Sequence, residues 1–554
     1  MNTLSAIILA GISFFTPLTF GGVQPWAQLL LLCASLVLAM LMIFGNGKIR
    51  LTAASKPVLI IMAFLIFMAA VQSCNVKTIF SAPFWQPFTL SPLDTISFAG
   101  YVLMLTFIFI SSSQVFYKYS RVNKLCFAIM LSGLLTALIG FSSVKGEYIN
   151  TAAGTGFMRE TFGPFINRNH AAVFLDLCFF ASLAWNGPAT VIRKDFFNLP
   201  KKPIFWKMPG YIFSTILAVG IIYTRSRGGI LAFCVGLLCY FALVSALTLK
   251  SARSRILSLT LIGAILLSLP FIADSNIKAI NKFARRDGEN WGFSVETREN
   301  LYTAGYYMLM DYKTFGVGLN AFENGIFPYL DKPVKAYIEH LHNDWLELLT
   351  GSGFFGGAVL LIGIIWFIIA ILRGSGGLPK DKILTLAALI SGCVSMATAS
   401  FFDFHFFIPS NAILFFTLAG LICAPTFSCG KIRDYRVGYI SAAAVLILFI
   451  PFIFLNFNKT VAWRYENIAR YRLGEEKINY FDRALAKYPH PREALRAAIA
   501  QYNYSNDDSL PCEERNDLRK QSFALSSDYL AKYPLYDELE NVKDKSSKTI
   551  FCKI

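Results

Sequence analysis

The chain has 554 residues, 55% of them hydrophobic and 15% charged, with a formal net charge of +17. At a mean hydropathy of +0.52, this is more apolar surface than one water-soluble core of this length can bury, so a soluble globular protein is excluded. The positive charge raises nucleic acid as a partner, but the basic residues are spread over alternate short connections rather than gathered on one patch, which excludes that class as well.

Apolar stretches near 18 residues or longer recur along the chain, each able to cross a hydrocarbon layer of roughly 30 Å as a helix. They predict about thirteen spans, near 3–20, 26–45, 57–74, 94–113, 125–143, 170–186, 209–223, 229–247, 256–273, 353–372, 383–400, 410–425 and 437–456. The first resembles a signal peptide only in hydropathy: Met1-Asn2-Thr3 has no basic flank and no small-residue cleavage site precedes Gly21-Gly22, so it is kept as a helix.

Every second connection is basic. Lys48, Arg50 and Lys56 lie in one, Lys118, Arg121 and Lys124 in another, and Arg193 to Lys207, Lys250 to Arg255, Arg373 to Lys382 and Lys431 to Arg436 supply the rest. The positive-inside rule puts these loops and the N-terminus in the cytoplasm and the tail after residue 456 outside. Nine of the eleven cysteines lie in or beside spans as packing residues, whereas Cys512 and Cys552 fall in the tail, where a disulfide is open to them.

The odd-numbered connections are the ones rich in His, Arg, Asn and aromatic residues. Three stand out: 144–169, the Tyr223–Gly229 turn and the long 274–352 segment, whose length predicts short helices lying on or dipping into the membrane surface. From about 457 the composition becomes polar with helical spacing of Ala and Leu. Leu485-Ala486-Lys487-Tyr488-Pro489 is echoed by Leu530-Ala531-Lys532-Tyr533-Pro534, which fits tetratricopeptide-like helices and equally an ordinary pair of helical hairpins. The fold class is therefore an all-α polytopic membrane protein, with a membrane domain over 1–456, a large external loop at about 274–352 and a soluble, external, helical domain over 457–554.

Four of the five histidines, His170, His340, His342 and His405, fall on or near the external side, and His490 lies in the tail. An imidazole there is suited to act as a general base near neutral pH, the plainer alternative being a solvated loop residue. His340 and His342 could instead share a metal ion with Asp344 or Glu339. No cysteine accompanies them and the helical His-x-x-x-His spacing is absent, so no metal is assigned.

Thr224-Arg225-Ser226-Arg227-Gly228-Gly229 places two guanidiniums at the boundary between two spans. A guanidinium forks onto phosphate oxygens, and the helix N-terminus adds a favourable partial charge. The glycine pair would let backbone and lipid approach closely. Snorkelling to headgroups is the alternative, less expected for arginines on the external face. Arg298 sits between Glu296 and Glu299, which could simply pair with it. Asp176, within a span, reads either as functional or as a hydrogen-bonding group between helices.

The run His340-Leu341-His342-Asn343-Asp344-Trp345-Leu346-Glu347-Leu348-Leu349, with Gly351-Ser352-Gly353 and Gly356-Gly357 after it, resembles the O-antigen ligase and O-antigen polymerase superfamily. Ser226-Arg227-Gly228, Arg298 followed by Gly316-Val317-Gly318-Leu319-Asn320, Gly163-Pro164-Phe165-Ile166-Asn167-Arg168-Asn169 and Ser400-Phe401-Phe402-Asp403-Phe404 extend the likeness over about 160–410. The resemblance implies a glycosyltransferase of the bacterial inner membrane, working without metal or cofactor. It would move a glycan from an undecaprenyl-pyrophosphate carrier to an acceptor hydroxyl at the outer leaflet, with inversion.

In that reading Arg227 and Arg298 hold the pyrophosphate and His342 deprotonates the acceptor. Arg225, His340, Asn343, Asn167, Asn169 and His170 are further substrate-binding candidates. A ligase would use a lipid A core as acceptor, a polymerase another carrier-linked glycan, and a protein-glycosylating member a Ser or Thr hydroxyl; ligase is the preferred reading. Beyond membrane lipid, a protein partner for the tail is a further option. A transporter is the rival from another class, but it would need polar residues lining both leaflets.

Overall fold

The computed structural model describes residues 2–77, 85–116, 118–142, 161–185, 203–248, 290–331, 338–507, 509–532 and 537–548. The described residues are overwhelmingly helical, and among them eight helices are long and apolar enough to cross a membrane. Twelve of the expected spans coincide with helices: α1 (Asn2–Leu18), α2 (Pro25–Asn46), α3 (Ser55–Ser73), α4 (Pro92–Val115), α5 (Tyr119–Ser142), α6 (Arg168–Ala184), α7 (Pro203–Tyr223), α8 (Arg227–Thr248), α10 (Asp344–Gly374), α11 (Lys380–Ala399), α12 (Pro409–Ile422) and α13 (Tyr439–Ala469). The span expected near 256–273 lies outside the described residues, as does most of the 144–169 connection.

Proline opens α2, α4 and α12 at their first turn, where its missing N–H costs no helical bond. At the centre of the bundle α11 packs against α8 and α6, and α6 in turn against α5 and α7. Asp176 is wholly buried there and accepts a 2.9 Å hydrogen bond from Ser395 Oγ, joining α6 to α11. Of the two readings left open for this carboxylate, the structure displays the inter-helix one.

The ends of the bundle are sorted as the charge pattern requires. Two basic connections pair as a small antiparallel ladder, β1 (Lys48–Leu51) against β2 (Arg433–Arg436), with Lys48 opposite Arg436 and Arg50 opposite Asp434. Another two basic connections meet through Tyr119 Oη and Thr385 Oγ1 at 2.8 Å. The described odd-numbered connections gather at the opposite end.

The 274–352 loop departs from expectation in one respect. Its described part is built on a helix of 22 residues, α9 (Asn290–Asp311), roughly 33 Å long, and not only on short ones. Two single 3₁₀ turns, Phe322–Asn324 and Phe327–Tyr329, follow. The helix α10 then starts at Asp344, nine residues before the predicted span, but breaks at Gly353 (φ 64°, ψ −173°). There the freed N–H groups of Phe354 and Phe355 donate to the carbonyls of Lys313 (2.7 Å) and Thr314 (3.2 Å). A Cβ on Gly353 would lie 2.3 Å from the Thr314 oxygen, so a side chain is barred by space as well as by backbone angle. The span predicted from 353 is thus the second segment of a kinked helix, and the first carries the 344–352 run to the end where the odd-numbered connections gather.

The helix α13 does not stop at the expected boundary near 456. It contains no glycine or proline from Asn456 to Ala469 and continues unbroken, which makes it 31 residues or roughly 46 Å long, beyond the hydrocarbon thickness. The tail helices α14 (Gly474–Lys487), α15 (Pro491–Tyr504), α16 (Cys512–Lys532) and α17 (Asp537–Ser546) then pack one upon the next. Cys512 is disulfide-bonded, and Cys552 lies outside the described residues.

Candidate active site

The predicted residues converge on the turn between α11 and α12. At 14 residues α12 rises about 21 Å, less than the hydrocarbon thickness. The irregular 400–408 turn precedes it, with Asp403 and His405 buried. Asp344 accepts from the N–H groups of His405 (2.8 Å) and Phe406 (3.1 Å) on one oxygen, and its own N–H donates to Ser400 O (2.9 Å). The start of α10 and this turn are therefore locked together.

Asp403 is the hub, and sequence reasoning missed it. Its side chain is 2% exposed. Oδ1 accepts from His342 Nδ1 (2.7 Å) and from the Phe404 N–H (3.0 Å), while Oδ2 accepts from Asn169 Nδ2 (2.7 Å) and Arg298 Nη2 (3.4 Å). Burial alone would raise this carboxyl, but the hydrogen bond from His342 and the neighbouring positive charge hold it well below the ordinary carboxylate range. An ionised Asp403 can only accept, so in the neutral imidazole of His342 the proton sits on Nδ1 and the lone pair on Nε2.

His342 has φ 55°, a left-handed conformation that costs a non-glycine residue on the order of 1 kcal/mol or more. Its carbonyl is held by Tyr302 Oη at 2.8 Å, and its ring packs against Phe404. The imidazole is one-third exposed. Strain is concentrated at the residue that combines a fixed tautomer with access to solvent.

A second arm reaches Asp403 through Asn169. Its Oδ1 accepts from Ser226 Oγ at 2.8 Å, and Ser226 in turn accepts the Gly229 N–H at 3.2 Å, capping α8. Arg225, at φ 56°, and Arg227, the first residue of α8, are both exposed beside this cap. A Cβ on Gly228 would touch Phe402 at 3.3 Å. Phe402 lines a cleft of 440 Å³ together with Arg298, Glu299, Tyr302 and Thr303. The Arg227 turn thus backs onto the wall of the Arg298 cleft. The glycine pair also serves packing: Gly228 meets Phe402, and a Cβ on Gly229 would lie 2.5 Å from the Ala172 Cβ.

Four other predicted residues have inward or local roles. Asn343 caps α10, its Oδ1 accepting from the Leu346 N–H at 3.1 Å, and Asn167 caps α6 through the Asn169 N–H at 2.8 Å. His170, 5% exposed, has Nδ1 3.3 Å from His405 Nδ1 and Nε2 3.4 Å from Asn167 Nδ2. Burial pushes His405 down to about 4, so it is neutral.

His340 is stacked between Phe404 and Phe407, both at 4.4 Å between ring centres, and donates to Glu347 Oε1 at 2.8 Å. The two imidazoles of the His340/His342 pair thus spend their Nδ1 atoms on different carboxylates. Burial alone would push His340 down, but the charge and hydrogen bond of Glu347 raise it to about 9.

The folded pKa of His340 lies above its unfolded value of about 6.5. Its pairing therefore stabilises the fold fully below that pH and ceases to do so as pH rises through about 9. The unfolding temperature of the purified protein is expected to fall between pH 7 and pH 10, and Glu347→Gln to flatten that fall. An unchanged pH slope in the variant would assign the titration elsewhere.

Two comparisons bear on this geometry. Residues 212–361 match the family model described as O-antigen ligase. That stretch holds Arg225, Arg227, Arg298, His340 and His342 but stops short of Asp403, and Asn167 and Asn169 precede it. No curated protein matches the chain.

Proposed function

We propose, from the match of residues 212–361 to the O-antigen ligase family model, that this chain transfers a glycan from an undecaprenyl-pyrophosphate carrier to an acceptor hydroxyl at the outer leaflet. The family match supports glycan transfer of the ligase or polymerase kind. The observation that carries the mechanism is the 2.7 Å bond from His342 Nδ1 to the buried carboxylate of Asp403. It fixes the tautomer and leaves Nε2 as the atom that takes the acceptor proton.

Asp403 stabilises the imidazolium formed when the hydroxyl attacks the anomeric carbon. Opposite the nucleophile the glycosyl–pyrophosphate bond breaks, the configuration inverts, and negative charge grows on the leaving group. Arg298 in its cleft and Arg227 at the N-terminus of α8 are the cations that meet that charge, the helix end adding its partial positive charge. Every chemical role in this scheme is filled by a side chain. An apolar cavity of 220 Å³ among α3, α4, α10 and α12, with Glu347 and Phe407 on its wall, offers room for carrier hydrocarbon beside the site.

This face is external and the β1–β2 face cytoplasmic by the positive-inside rule, in a bacterial inner membrane. Among acceptors the ligase reaction onto a lipid A core is the preferred reading, ahead of polymerisation and protein glycosylation. The test is to incubate purified protein in nanodiscs with carrier-linked oligosaccharide and each acceptor in turn. Transfer to lipid A core alone is the expected result. Transfer to a second carrier-linked glycan or to a Ser/Thr peptide would reassign the acceptor, and no transfer to any of them would defeat the reading.

A further inference from the structure

The segment carrying His342 is held from two sides. On the bundle side His340 is fixed by Glu347, Phe404 and Phe407, as described. On the other side it meets the tail: Arg492 Nη2 lies 2.9 Å from Glu339 Oε1, on the residue immediately before His340. The same guanidinium reaches Glu323 Oε2 at 3.5 Å, in the first 3₁₀ turn after α9. One tail arginine thus bridges two separate stretches of the large loop.

The turn that presents Arg492 is itself anchored. His490 caps α15, its Nδ1 accepting the Arg492 N–H at 3.3 Å, so the proton lies on Nε2 and is donated to Asp94 Oδ2 at 3.1 Å, at the start of α4. His490 stacks on Tyr488 with the rings 10° from parallel, and both are buried. Asp94 also accepts from Ser91 Oγ and from Asn324 Nδ2 (3.3 Å). Tyr488 and Pro489 close the first copy of the echoed sequence motif, so the copy that the structure describes is also the tail's docking turn.

We propose that Arg492 and His490 are positioning residues for glycan transfer, with the 488–492 turn of the tail holding the Glu339–His342 segment in its working pose. The proposal rests on His342 being the base. Glu339 is half exposed, so the pair adds little to global stability; what it contributes is the location of a short, strained segment whose displacement is felt at the base.

A shift of about 1 Å at a reacting group can cost about 100-fold, so Arg492→Ala in the full-length protein is expected to lower kcat about tenfold with donor KM unchanged. The donor probe is undecaprenyl-pyrophosphate-linked oligosaccharide. Arg492→Lys should recover most of the rate, and the exchange Glu339→Arg with Arg492→Glu should recover more than either single change. Amide hydrogen exchange of residues 338–343 should quicken in Arg492→Ala and in Glu339→Gln.

Wild-type kcat and wild-type exchange in both variants would overturn the proposal. So would a loss that neither Arg492→Lys nor the charge exchange restores, which marks a role in folding only. A wild-type protein that transfers nothing defeats the function reading instead, and the exchange measurement then decides by itself whether the tail holds the loop.

Discussion

Replacing Asp403 with asparagine is expected to reduce transfer by about 10²–10⁴-fold, the usual contribution of a positioned general base, with the protein still inserted in the membrane. The carboxylate accepts on both oxygens, from His342 and the Phe404 N–H on one and from Asn169 and Arg298 on the other. An amide in the same place must turn its NH₂ toward one of these sets of donors. Facing His342, it forces the proton from Nδ1 to Nε2 and removes the lone pair that takes the acceptor proton. Facing Asn169 and Arg298, it leaves buried donors unmatched, at a cost of about 1–3 kcal/mol. His342→Ala should lose activity to a similar degree. Because the two residues act as one unit, the double variant should be no slower than the slower single one. Initial rates with carrier-linked donor measure all three, and full activity in His342→Ala would remove the proposed base.

Arg298→Ala and Arg227→Ala are each expected to lower kcat by about 10²–10³-fold, the scale for losing one preorganised group that stabilises developing charge. Lysine at either position keeps the charge without the fork and should recover only part of the rate. The two arginines are distinguishable. Arg298 also donates to Asp403 (3.4 Å), so its loss should alter the pH dependence of kcat through His342, whereas Arg227→Ala should lower the rate with the profile unmoved. If both variants changed only donor KM, the arginines would bind ground state and transition state equally, and the charge-stabilising role would be wrong.

The scale of the bundle was legible because membrane burial leaves a one-dimensional record: a span needs about 20 apolar residues, and twelve of the expected stretches fall on helices, with α10 and α13 extending well past the expected bounds. The sorting of the connections was legible as well, since the basic residues of the described even-numbered loops meet at one end, as in the Lys48–Arg436 ladder. Residue chemistry and local pattern singled out the His340/His342 and Arg225/Arg227 pairs, and the family resemblance supplied the choice of His342, Arg227 and Arg298. Asp403 was not singled out, although it is the only carboxylate in the aromatic run from Phe401 to Phe407. A carboxylate becomes a hub only through partners brought to it, and these come from positions 169, 298 and 342.

For the same reason it was not legible that Asn343 and Asn167 cap α10 and α6, or that Gly228 and Gly229 pack against Phe402 and Ala172. The α13 stalk and the docking of Arg492 on Glu339 were equally out of reach, because a composition change at 457 carries no information about which surface a helix beyond it will meet. Sequence by itself determined the class and the chemistry on offer, since hydrophobicity and charge act residue by residue. Tertiary structure alone decided which groups share a proton, which face inward and which arginine serves as a brace, since those are properties of distances between residues far apart in the chain.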